Sequence, residues 1–186
     1  MKIIFIAIII IILSIGGILL WETWPKPITD YDTASNKAFE YNLEGNYKKA
    51  IEYFLLAAKL DDQKRYAPYR NVAVLYRDLH EFDKAEEYYT KVIEMEPRGQ
   101  FVVEIMDLYI YDLKKPEEDI IATFEYFMAN IHDNRAIAFR YALYLESVNR
   151  YQDALNLYKV ILGTEPDNQS LKESIDYLKM KLDKNQ

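Results

Sequence analysis

The chain has no cysteine, which excludes disulfides, thiolate metal ligands and cysteine nucleophiles together. Glycine and proline are scarce, five and six among 186 residues, too few for a disordered chain or one built from many β-turns. Histidine occurs only at His80 and His132, and neither has a partner at metal-ligand spacing. No glycine-rich phosphate loop is present: Gly16 and Gly17 lie within an apolar run and Gly45 stands alone. Serine and threonine are sparse and have no base beside them to make a nucleophile. There is no excess of basic charge either. The formal net charge is −7, which disfavours a nucleic acid or an anionic membrane surface as partner. These absences point away from an enzyme: no catalytic, cofactor-binding or metal site is expected.

What the chain does have is hydrophobic residues, about half of the total, in two different arrangements. From Ile3 to Leu20 there are 18 residues without a charge. As a helix rising about 1.5 Å per residue, this run spans roughly the hydrocarbon layer of a bilayer. Trp21 and Trp24 follow at the place of an interfacial aromatic belt, and Pro25 and Pro27 stop a helix there. The expectation is an N-terminal transmembrane anchor over 1–24 and a short linker over 25–30. The alternative is a cleaved signal peptide with Ser14 and Gly16 at the cleavage site, against which Ile18, Leu19, Leu20 and Trp21 continue the apolar run. Lys2 before the run and only Lys26 soon after it place the N-terminus in the cytoplasm and the remainder outside it.

Beyond Trp24 the apolar residues recur at helical spacing, and the pattern repeats. The stretches Gly45-Asn46-Tyr47-Lys48-Lys49-Ala50, His80-Glu81-Phe82-Asp83-Lys84-Ala85 and Asn149-Arg150-Tyr151-Gln152-Asp153-Ala154 share a turn residue, an aromatic and an alanine. Ala50 and Ala85 are 35 residues apart, and Ala85 and Ala154 are 69 apart, two such periods. Twelve residues before each stands another alanine: Ala38, Ala73 and Ala142. Four residues after each comes an aromatic: Phe54, Tyr89 and Tyr158. Twelve residues after, Pro97 and Pro166 end two of the repeats, with Asp62 in the first. Two antiparallel helices approach closely where both present a small side chain, so each pair of alanines should mark a helix–helix contact, with the aromatic wedged against the next repeat.

This pattern resembles the tetratricopeptide repeat (TPR), a helix–turn–helix of about 34 residues. The resemblance covers roughly Tyr31 to Asn168 and implies an all-α fold. That fold is a right-handed superhelix of about four repeats, over 31–65, 66–99, 100–133 and 134–168. The third repeat departs from the pattern: Met106 and either Asp119 or Ile120 stand where the alanines belong, and Lys114-Lys115-Pro116 suggests a turn longer by one or two residues. Pro116 suits the first residue of the following helix, and the larger contact residues should splay the pair. Over 169–186, Leu171, Ile175, Leu178 and Leu182 share one face, the pattern of a solvating cap helix followed by a short tail. His132 is expected to end a helix, and His80 to take a turn position.

In the repeats it resembles, the first helix of each unit lines a concave groove that takes a peptide or a helix. Carried over position by position, that groove is lined by Ser35, Phe39 and Asn42, then Arg70, Val74 and Arg77. The third unit adds Val103, Asp107 and Ile110, and the fourth Phe139, Leu143 and Glu146. Arg70 and Arg77, seven residues apart, either offer forked donors to a partner's carboxylate or pair with local acids such as Asp78 and Glu81. A Lys and an Asn of the first helix clamp a C-terminal carboxylate in one TPR subgroup. Ser35 and Phe39 hold those positions here and remove that specificity. The expected function is a membrane-tethered adaptor, scaffold or assembly factor on the extracytoplasmic side, binding a protein partner and no nucleic acid or cofactor. A cytoplasm-facing receptor for protein targeting and a self-assembling homodimer are the alternatives.

Overall fold

The computed structural model describes residues 27–184, and among them every regular element is helical. Helices α1 (Tyr31–Leu43) and α2 (Tyr47–Leu60) form the first pair, and α3 (Ala67–Asp78) and α4 (Phe82–Met95) the second. Helix α5 (Gly99–Asp107) runs into a π-helical turn at Leu108–Asp112 and is followed by α6 (Glu117–Asn130). Helices α7 (Arg135–Ser147) and α8 (Tyr151–Thr164) make the fourth pair, and α9 (Gln169–Lys184) closes the stack.

Local chemistry sets the helix ends. The Asp30 side chain accepts the Thr33 amide at 2.8 Å and starts α1; Asn168 accepts the Leu171 amide at 3.2 Å and starts α9. The three regular turns are built alike. Gly45, His80 and Asn149 take the left-handed conformation, with φ of 74°, 59° and 63°. In each, the following amide reaches five residues back: Asn46 to Tyr41, Glu81 to Tyr76 and Arg150 to Leu145, at 2.8 Å every time. Equal geometry at one spacing is what makes these three units copies of one another. Pro97 and Pro166 each stand two residues past a second helix, whereas the first unit ends through left-handed Asp62 and Gln63.

The paired alanines Ala38 and Ala50, Ala73 and Ala85, and Ala142 and Ala154 are completely buried at the contacts inside the first, second and fourth pairs. Phe54, Tyr89 and Tyr158 are buried as the wedges, and Phe124, four residues after Ile120, supplies the same wedge in the third unit. Of the two residues considered for the second-helix contact there, Ile120 is the buried one and Asp119 is exposed.

Met106 and Ile120 cannot mate as alanines do. Helices α5 and α6 barely touch, and α5 packs directly on α7 instead. The turn between them is two residues longer than in the other units. The first extra residue is absorbed in the π turn, where the Leu113 amide bonds Leu108 at 2.9 Å. Pro116 is not the first helical residue: with ψ of 147° it stands just outside α6 and its carbonyl accepts the Ile120 amide. His132 likewise lies two residues beyond the end of α6 rather than at it. Leu171, Ile175 and Leu178 of α9 are buried against the fourth pair, and Leu182 is half-buried beside them.

Candidate functional site

The first helices α1, α3, α5 and α7 carry the residues expected to meet a partner. Phe39 is 47% exposed and stands edge-on to the buried Phe54, ring centroids 5.0 Å apart. Phe139, 44% exposed, meets the buried Tyr158 edge-on at 5.9 Å, and Leu143 is exposed one turn further along α7. Asn42, Val74, Val103 and Ile110 are half-buried. Val74 and Ile110 rest against the main core.

The charged residues of this face bind one another. Arg70 donates to Glu104 through Nε at 2.9 and 3.0 Å and through Nη2 at 2.8 Å. Arg77 donates to Asp112 at 2.6 Å, and Asp107 accepts from Arg140 at 2.6 Å. Arg140 also reaches the Tyr111 hydroxyl at 2.7 Å. Hydrogen bonds to the Glu104 carboxylate raise the pKa of the Arg70 guanidinium. Burial would lower that of Arg77, but Asp112 and, to a lesser degree, Tyr89 more than offset it. Glu146 accepts the Tyr158 hydroxyl at 2.6 Å; burial first, and then this carboxylate, push the Tyr158 phenol well above its ordinary range. Neither Asp78 nor Glu81 takes the arginines. The acids come from the next repeat, so the middle of this face is a compensated ionic ladder and both arginine forks are already engaged.

Apart from Tyr111, whose hydroxyl accepts from Arg140, apolar exposure therefore sits at the two ends of the face. Of the large hydrophobic side chains exposed among the described residues, only Tyr126 and Val160 lie on second helices. The others are Phe39 and Leu43 on α1, Tyr111 in the π turn, Phe139 and Leu143 on α7, and Tyr177 and Met180 on α9. The two on α9 were not among the expected residues. They stand one repeat length after Leu143 and Glu146, so α9 continues the face with Tyr177 and Met180 in the same register. Continuing the period past Pro166 would have found them.

A cavity of about 650 Å³ lies elsewhere, between α4 and α6. Among the described residues no group of three or more His, Cys, Asp or Glu side chains could hold a metal ion. None of the described helices is long and apolar enough to cross a membrane; the apolar run Ile3 to Leu20, read as anchor or signal peptide, lies outside the described residues.

The sequence profile of the tetratricopeptide repeat matches residues 31–64 and 69–98, the first two helix pairs. A tetratricopeptide repeat protein from Parabacteroides merdae superposes with a TM-score of 0.58 at 18% identity, covering 88% of this chain and 63% of that one. MamA from Desulfovibrio magneticus RS-1 superposes with a TM-score of 0.55 at 10% identity, covering 82% and 85%. PilW, described as a widely conserved type IV pilus biogenesis factor, gives 0.53 at 18% identity, covering 81% and 69%. At these identities the likeness is one of fold. No curated protein matches the chain by sequence.

Proposed function

We propose that this chain, whose first two helix pairs match the tetratricopeptide-repeat profile, is a non-catalytic protein-binding module whose first-helix face captures a segment of a partner protein. The observation that carries this reading is the placement of exposed apolar side chains. Those on the first-helix side, apart from Tyr111, gather at the two ends of one face, on α1 and on α7 with α9, while the ladder between them is charge-compensated. Such a surface grips an extended or helical segment by apolar anchors at each end and keeps the middle polar and soluble. The run Ile3 to Leu20 supports tethering of the module to a membrane, and the Lys2 and Lys26 asymmetry supports an extracytoplasmic position. Tethering confines the face to a thin layer and raises its effective concentration for partners in the same bilayer. A role as adaptor or assembly factor follows, in keeping with the pilus biogenesis role ascribed to PilW.

Photo-crosslinking tests the face and its location together. A photoreactive residue is placed at Leu143, at Tyr177, or at the second-helix position Val160 of the full chain, which also carries a C-terminal tag. Partner adducts from Leu143 and Tyr177 but not from Val160 are expected, with the tag open to protease from outside the inner bilayer. Adducts from Val160 alone would remove the first-helix face as the binding surface. A protected tag would move the module to the cytoplasm as a targeting receptor, and adducts of twice the chain's own mass would make the partner a second copy.

A further inference from the structure

The cavity between α4 and α6 has a local cause. In the first two units, the third residue after the second-helix alanine is a tyrosine lying against a tyrosine of the first helix. Tyr53 meets Tyr41 with centroids 5.2 Å apart, and Tyr88 stacks on Tyr76 at 5.6 Å. The equivalent residues of the third unit are Thr123 and Tyr109. Thr123 is too short to reach, and its hydroxyl turns back to the Asp119 carbonyl at 2.7 Å. Tyr109, without a ring opposite it among the described residues, donates to Glu86 at 2.7 Å, and the Lys115 ammonium sits 3.6 Å from its centroid. A ring is therefore missing from a place where the two preceding units each have one.

The space left behind is floored by Ile105 and Tyr109 and walled by Ile93, Thr123 and Phe127, with the exposed Tyr126 at its rim. Its charge is negative. Glu94 on α4 and Asp119 on α6 both line it, both are exposed, and among the described residues neither enters an ion pair. Lys115, the cation in the lining, is held by Glu86 at 2.9 Å.

We propose that this cavity is a second docking site, on the second-helix side of the repeats, for a partner segment that presents an aromatic side chain flanked by lysine or arginine. The ring takes the place of the tyrosine absent at position 123 and covers Ile105 and Phe127, the kind of aromatic anchor in a pocket that dominates interface energetics. The flanking cations meet Glu94 and Asp119, which steer the approach and reject acidic segments. The site stands apart from the first-helix face and does not depend on it.

A random peptide library displayed on phage, selected against the full chain, tests this directly. Wild-type protein is expected to enrich peptides with an aromatic residue flanked by Lys or Arg. A synthetic peptide of the selected consensus should then lose about tenfold or more in Kd on Thr123→Tyr, which restores the missing ring. The same loss is expected for the double variant Glu94→Lys, Asp119→Lys, whereas Phe139→Ser with Leu143→Ser leaves this binding unchanged. Thr123→Tyr should unfold at the same temperature as wild type or higher; if it fails to fold, the charge-reversal pair, which is surface-exposed, carries the test. Enrichment only of acidic or purely aliphatic peptides whose binding survives the Phe139→Ser, Leu143→Ser change overturns the proposal, as does undiminished binding by both variants. A wild-type dimer that Thr123→Tyr converts to monomer also overturns it, since the occupant is then a second copy of the chain.

Discussion

Arg70 and Glu104 stand 34 residues apart in the chain and form a forked ion pair between α3 and α5. Their separation is one repeat length, and the other rungs obey the same rule: Arg77 to Asp112 is 35 residues and Asp107 to Arg140 is 33. Each rung staples a first helix to the next one. Because the partners are partly exposed, a double-mutant cycle on Arg70→Ala and Glu104→Ala should give a coupling of about 0.5–1 kcal/mol, shrinking as salt is added. Glu104→Arg alone places two guanidiniums side by side and should cost more than Glu104→Ala. Reversing both residues together should recover part of the loss. Urea midpoints at low and high salt read all three outcomes.

His80 holds a left-handed turn position that Gly45 holds one repeat earlier. A residue with a Cβ pays about 1 kcal/mol there relative to glycine, offset in part by the greater freedom of glycine in the unfolded chain. His80→Gly should therefore stabilise the fold by about 0.5–1 kcal/mol. Asn149→Gly should gain less, since asparagine tolerates this conformation better than histidine. An increase in the denaturation midpoint without a change in slope would show that the turn, and not compactness, is what altered.

Gly99 opens α5 where the chain passes the loop before α7, and a Cβ built there overlaps the Asp133 carbonyl oxygen. That neighbour is backbone, so it cannot swing aside as a long side chain would. Gly99→Ala should destabilise by about 1–3 kcal/mol, the usual range for overpacking. Gly163→Ala, with nothing near its Cβ and a place inside α8, should be neutral or slightly stabilising. The contrast between two glycine-to-alanine changes in one protein separates the packing effect from helix propensity.

Three of the four repeats were legible because their small contact residues are alanines, which recur at fixed spacing and stand out. The third was hidden by Met106 and Ile120, yet its wedge aromatic Phe124 keeps the rule and settles the register in favour of Ile120 over Asp119. The ionic ladder was missed for a physical reason. Asp78 and Glu81 are the acids nearest Arg77 along the chain, whereas a solenoid places one repeat beside the next, and Glu104 lies a full period from Arg70. Tyr177 and Met180 were overlooked because a cap helix is expected to present polar residues outward, and α9 does so only in part. The cavity depends on a residue that is absent, and only the stacked pairs of the first two units show what position 123 lacks.

Tyr109, Tyr141 and Tyr158 are the tyrosines held most strongly against ionisation, by burial together with a neighbouring carboxylate. Burial and then Glu125 push Tyr141 up to about 12, while burial and the hydrogen-bonded Glu86 and Glu146 raise Tyr109 and Tyr158 further still. Unfolded, all three ionise near pH 10. A raised pKa in the native state means that the folded chain holds these protons longer than the unfolded one. The stability they contribute is therefore complete below about pH 10 and is lost as pH climbs through 12. Absorbance of phenolate followed through an alkaline titration should show a group of tyrosines that ionise late, together with loss of helical signal. In denaturant the same tyrosines should join a single step near pH 10. Tyr158→Phe should remove one residue from the late group and leave Glu146 without its phenol donor. If that variant keeps the full late amplitude, Tyr158 is not a protected phenol and the packing of the fourth wedge is not as described.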